Sequence, residues 1–132
     1  MALNVLVVDD SATVRSVIAK TLRLAEVPIN ELHEAANGEE ALVVLKEHWI
    51  DLVFSDLNMP VMDGLALVER MSSDELLQAI PIIIVSTEGS STRIEELMLK
   101  GISGFIRKPF TPEQVREMID SVLGGGLHGT EQ

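Results

Sequence analysis

The sequence predicts an α/β domain with a five-stranded parallel sheet covered by helices on both sides. Two observations carry that prediction. Segments of strand length recur five times along the chain, most of them apolar and β-branched. A helical stretch follows each one, marked by apolar residues at helical spacing, by a capping residue, or by both. Strict strand–helix alternation builds parallel sheets, because every crossover carries the chain back to the same edge and buries the sheet on both faces.

Taken in order, NVLVV (4–8) is short and apolar throughout, as a strand buried on both faces should be. Val14, Val17, Ile18 and Leu22 then fall at helical spacing, with Ser11 as N-cap. Pro28 marks the way out, and ELHEAA (31–36) reads as a weak second strand. Asn37 caps the next helix, with Glu40 at the reciprocal capping-box position. DLVFS (51–55) is the third strand, and Asp63-Gly64 opens a helix carrying Leu67, Val68 and Met71. PIIIVS (81–86) is the fourth strand. Ile94, Leu97 and Met98 form the stripe of the fourth helix, which stops at Gly101. SGFIR (103–107) is the fifth strand. Thr111-Pro112-Glu113-Gln114 combines a cap, proline at the first helical position and glutamine at the third. Val115, Met118, Ile119 and Val122 follow on one face. Residues 1–123 read as one domain, and the Gly-rich 124–132 as a flexible tail.

Composition removes several function classes. At 132 residues the chain has the length of a single domain with a proper core. A net charge of −11 repels nucleic-acid phosphate. The absence of cysteine excludes disulfides, thiolate zinc sites and cysteine nucleophiles. No apolar run approaches the ~20 residues that span a bilayer, and MALNVLVVDD does not read as a signal peptide. A cytoplasmic protein is the expectation.

In open α/β sheets, ligands bind beyond the carboxyl ends of the strands. Asp9 and Asp10 follow the first strand there, and Asp56 the third. Ser86 and Thr87 end the fourth, and Lys108-Pro109 follows the fifth. Carboxylates so close repel one another, so at least one should have a raised pKa unless a cation intervenes. An all-oxygen set suits magnesium, calcium or manganese rather than zinc or copper, and magnesium better than calcium, whose cage would need more ligands. With Lys108 on the other side and the Ser86 hydroxyl nearby, the set would hold a phosphoryl group. Asp56, a lone acid between the Asp9/Asp10 pair and Lys108, is the best placed nucleophile.

At these residues the sequence resembles the receiver domains of two-component response regulators, of the CheY-like single-domain type. The motifs are VVDDS (7–11), DLNMPVMDG (56–64), STEG (86–89) and KPF (108–110), and the resemblance covers roughly residues 4–123. It implies a flavodoxin-like (βα)5 three-layer sandwich with strand order 2-1-3-4-5. It also implies that Asp56 accepts phosphate from a histidine kinase. Asp10, Asp56 and the main-chain carbonyl of Asn58 would bind magnesium, with Asp9 acting through water. Lys108, joined to Pro109 by a cis bond, would pair with Asp56 and then with the phosphoryl group. Ser86 would draw its loop inward and Phe105 would swing from exposed to buried. That alters the face of the fourth helix, fifth strand and fifth helix, where a downstream protein docks. Asn58 and Glu88 would tune self-dephosphorylation.

Three positions depart from the family's habit. Ser86 stands where threonine is commoner, Thr87 where alanine or glycine is frequent, and Phe105 where tyrosine is frequent. Thr87 would restrict access to Asp56. Ser90, Ser91 and Met118 stand where motor-binding relatives carry basic residues. Other residues read as structural: Trp49 as packing beside the third strand, the methionines as gap-fillers, and His33, His48 and His128 as lacking ligand spacing. Two further readings of the chain are a magnesium-dependent phosphohydrolase and a phosphorylation-independent binding module. Chemistry on itself alone, rather than on a substrate, is the expectation, and chemotaxis is the expected pathway.

Overall fold

The computed structural model describes residues 2–87 and 90–124. Glu88 and the tail beyond Gly124 therefore lie outside the described residues. In chain order the elements are β1 (Leu3–Val8), α1 (Ala12–Leu24), β2 (Ile29–Ala35), α2 (Gly38–Glu47), β3 (Leu52–Ser55), α3 (Gly64–Ser72), β4 (Ile82–Ser86), α4 (Ser91–Lys100), β5 (Gly104–Arg107) and α5 (Pro112–Val122). The strands form one parallel sheet in the order β2-β1-β3-β4-β5. This is the expected doubly wound architecture, with β2 beginning earlier than its polar sequence suggests.

Strand alternation splits the core into two clusters, one on each face of the sheet. Leu6, Val8, Val53 and Ile84 point to the side of α2, α3 and α4, where Leu42, Leu45, Leu67, Val68 and Leu97 meet them. Val5, Val7, Phe54 and Ile83 point to the side of α1 and α5, where Ile18, Leu22, Val115 and Ile119 cover them. Burying a side chain of this kind contributes about 1.5–3 kcal/mol. The central strands are apolar on both faces because both faces are covered.

Four helices begin at the caps that the sequence marks, and Ser90 caps α4, for which the sequence reading names none. Ser11, Asn37, Asp63, Ser90 and Thr111 all accept a backbone N–H from the first turn. Thr111 and Gln114 complete the full reciprocal capping box. At α2 the reciprocity shifts by one residue: Glu40 Oε1 accepts the N–H of Ala36 at 2.9 Å rather than that of Asn37. The fully extended backbone at Asn37 leaves the preceding N–H in reach of that carboxylate.

Three apolar side chains sit where the periodicity does not put them. Val17 is 52% exposed and Met98 50%, because a helix packed on a sheet buries only a narrow stripe. Trp49 does not pack beside the third strand: it is 80% exposed in the short connection between α2 and β3. That connection is fastened through its backbone, whose Trp49 carbonyl accepts from Asn4 Nδ2 at 2.8 Å, so the ring is left outside.

The turn from β3 to α3 is tight. Gly64 N donates to Leu57 O at 2.8 Å. A Cβ on Gly64 would lie 2.3 Å from Asp56 O and 2.9 Å from Leu57 Cα, both unyielding backbone atoms. Gly64→Ala should therefore destabilise the fold by roughly 1–3 kcal/mol, the usual cost of overpacking, in urea denaturation. Wild-type stability in this variant would show that the loop gives way.

Candidate functional site

The sheet ladder runs one residue past the strands that matter and so fixes the start of each loop. Asp9 N donates to Ala35 O at 3.0 Å, Asp56 N to Val8 O at 2.9 Å, and Lys108 N to Ser86 O at 2.8 Å. Val8 and Ser55 lie level in the β1–β3 register. The acids that follow them must emerge side by side. One carboxylate oxygen from each of Asp9, Asp10 and Asp56 lies within 4.8 Å of the others. Lys108 Nζ reaches over from β5 to 3.5 Å from Asp9 Oδ2 and 3.8 Å from Asp56 Oδ1.

The three acids are not equivalent. Asp9 is the innermost, 2% exposed, and its Oδ1 accepts the Ser11 N–H at 2.9 Å. Among the described residues its Oδ2 is buried without a hydrogen-bond partner, with the ammonium of Lys108 opposite. Asp10 lies on the open side of the cluster, exposed to solvent. Asp56 is half-buried, with Oδ1 accepting the Leu57 N–H at 2.8 Å. Burial pushes the Asp56 carboxyl above the ordinary aspartate range. The Asp9 charge adds to that, while Lys108 and the N–H groups of Leu57 and Asn58 oppose it. The raised pKa expected of this cluster thus falls on Asp56.

The loop after Asp56 is held in an unusual shape. Met62 N donates to Pro60 O at 2.7 Å across Val61, whose φ is 68°. This is a γ-turn with a positive φ at its centre, strained for a β-branched residue. Asn58 is exposed in this loop. Ser86 is buried at the end of β4 and Thr87 is exposed beside it. The Lys108–Pro109 bond is cis, as the resemblance implies. Phe105 is half-buried, packed against the cluster on the α2–α3–α4 side. The fold thus gathers Asp9, Asp10, Asp56 and Lys108 at one edge, with Ser86 and Thr87 at the strand end between β3 and β5.

One member escapes sequence reasoning. Arg15 Nη1 donates to the Asp9 carbonyl at 2.5 Å, and its Nε pairs with Glu34 at 2.7 Å. The signal was a cation near the start of a helix, where the dipole disfavours one and an acceptor must lie close by.

Because the Asp56 carboxyl is raised in the folded state, the folded chain holds its proton to higher pH than the unfolded chain does. The stability this contributes is present below the ordinary aspartate pKa and is lost as pH rises through the folded value. Ionised Asp56 therefore costs stability at neutral pH. In metal-free buffer Asp56→Asn should melt above the wild type at neutral pH. The gap should close as pH falls below the ordinary aspartate range, which thermal denaturation against pH will show. A gap independent of pH would refute the assignment.

The family model described as the response regulator receiver domain matches residues 5–120. A "Chemotaxis protein CheY homolog" of Campylobacter jejuni is 38% identical over 94% of this chain and 95% of its own length. The solved chemotaxis response regulator CheY4 of Vibrio cholerae is 34% identical, with a TM-score of 0.81, covering 92% of this chain and 99% of that one. A solved CheX-CheY-BeF3-Mg complex from Borrelia burgdorferi contains a chain that is 31% identical, with a TM-score of 0.81, covering 92% of this chain and 89% of that one. With the strand order and the motif residues in place, the chain belongs to the response regulator receiver domain family.

Proposed function

We propose that Asp56 is the phospho-acceptor of this receiver and that a histidine kinase is its donor. The observation that carries the reading is the position of the Asp56 carboxylate, within 4.8 Å of the oxygens of Asp9 and Asp10 and 3.8 Å from the Lys108 ammonium. An Asp56 oxygen attacks phosphorus in the donor's phosphohistidine. The new O–P bond forms as the P–N bond breaks, and the electron pair leaves with the imidazole. Lys108 balances the added charge, and the Ser86 hydroxyl donates to a phosphoryl oxygen.

The donor set fits a hard divalent ion, since all of it is oxygen and Asp9 Oδ2 is buried without a hydrogen bond. Asp10, Asp56 and the Asn58 carbonyl would hold magnesium, with Asp9 acting through water; manganese suits the same oxygens. When bound, the ion neutralises charge on the phosphoryl oxygens.

Phosphate on Asp56 adds charge and strong acceptors at the end of β3. Ser86 then draws its loop inward, and the half-buried Phe105 packs deeper, changing the face of α4, β5 and α5. That face carries charged groups beside its apolar ones, with Arg107 exposed at the end of β5 and Phe105 half-buried within it. α4 leaves Met98 half exposed, Ser90 is committed to capping α4, and Met118 packs partly buried beneath Gly104. Thr87, exposed beside Ser86, and Glu88 set the lifetime of the phosphate together with Asn58. Residues 1–123 act as the receiver and 124–132 as an appended tail. The names of the relatives favour chemotaxis, in the cytoplasm; among the described residues no helix is long and apolar enough to cross a membrane.

A phosphohydrolase would need an element covering the site, but the longest connection among the described residues, 73–81, lies at the opposite edge of the sheet. Incubation with magnesium and a small acyl phosphate should add one phosphoryl group to the wild type, read by intact mass. Asp56→Asn should gain none, and Lys108→Ala should be labelled roughly tenfold more slowly or worse, as for loss of a charge-stabilising donor. Equal labelling of Asp56→Asn would overturn the assignment, and rapid multiple turnover of a phosphomonoester would favour the hydrolase.

A further inference from the structure

Glu31, His33 and His48 meet at the outer edge of the sheet, and none of them belongs to the acidic cluster. Glu31 and His33 alternate with Leu32 on β2, so both face the side of α2, as does Ala35. His48 is the C-cap of α2. Its ring lies against that of His33, with centroids 4.2 Å apart and planes tilted by 34°. Glu31 Oε1 stands 3.0 Å from His33 Nε2. One ligand atom from each of the three residues lies within 4.8 Å of the others.

We propose that Glu31, His33 and His48 form a second metal site, for a divalent ion of the zinc, nickel or copper class. Two imidazoles and one carboxylate make a donor set that these ions prefer and that magnesium does not. Two ligands on one ion at about 2.1 Å can be at most ~4.2 Å apart. The present spacing therefore needs only modest side-chain rotation. Glu31 and His48 are exposed and can make it, while the half-buried His33 supplies a fixed point. The end of α2 presents partial negative charge there, which favours a cation. So does the chain's net charge of −11. Three protein ligands leave further positions to water. Bound metal would tie the edge strand β2 to the end of α2, two elements otherwise joined through apolar packing.

Trp49 adjoins His48, is exposed, and is the sole tryptophan in a chain without tyrosine. Its fluorescence therefore reports on this corner of the molecule alone. With the full chain in saturating magnesium, nickel should quench Trp49 saturably, and zinc titrated calorimetrically should bind one to one. His48→Ala and Glu31→Gln, both at exposed positions, should weaken zinc by about tenfold or more, at least the cost of disturbing a ligand's supporting contacts. His128→Ala and Asp56→Asn should leave the affinity unchanged. No saturable binding, or wild-type affinity in both His48→Ala and Glu31→Gln, would overturn the proposal. So would loss of zinc binding in Asp56→Asn, which would put the ion in the acidic cluster.

Discussion

The register between β1 and β3 is the constraint from which the site follows. Val8 and Ser55 are paired across two central parallel strands, so the residues after them have nowhere to go but the same edge. Those residues are aspartates. Two carboxylates brought together and partly taken out of water repel each other, and the chain answers with one long cation from β5. Lys108 crosses the end of β4 to reach both acids, a span that its flexible stem makes practicable. Its charge does not fully offset the burial of Asp56, whose carboxyl stays raised. The site is thus held in a state that further positive charge would relieve, which is the condition for taking up a cation and then a phosphoryl group.

Rigid and yielding parts are arranged around that tension. Beneath the site lie strands whose side chains are fully enclosed, and they cannot shift without opening the core. Above it lie loops. The one after Asp56 carries a positive φ at Val61 and closes on Gly64, where no side chain fits. Ser86 stands at the boundary between the two regimes, buried at the end of β4 with an exposed neighbour in Thr87. A charge placed on Asp56 thus has an enclosed sheet below it and solvent-facing loops above it.

The outer edge of the sheet has a different chemistry. At the central strands the donors are all oxygen and partly buried. At β2 they are imidazoles with one carboxylate, on a strand whose outward positions remain in water. The difference follows from position in the sheet. A central strand has room for polar groups only past its end, whereas an edge strand can carry them along its length.

Most of the fold could be read in the residues themselves, because each element carries local marks. β-Branched runs, capping residues and the Thr111-Pro112-Gln114 start are decided within a few positions of the chain, so the elements and their succession along it were legible, while the order of strands within the sheet came only with the family resemblance. Asp9, Asp10, Asp56 and Lys108 were legible for a related reason: in a parallel sheet, being next after a strand already states a place in space. Tertiary structure alone decided what depends on distance between elements. It made Asp9 rather than Asp56 the nearer partner of Lys108, brought Arg15 onto the Asp9 carbonyl, and turned the Trp49 ring outward. It also joined His33 to His48, which share no motif because one lies on a strand and the other ends a helix. Local sequence sets backbone preference within a turn or two, whereas contacts between side chains from separate elements are settled only when the packed core fixes how those elements lie against each other.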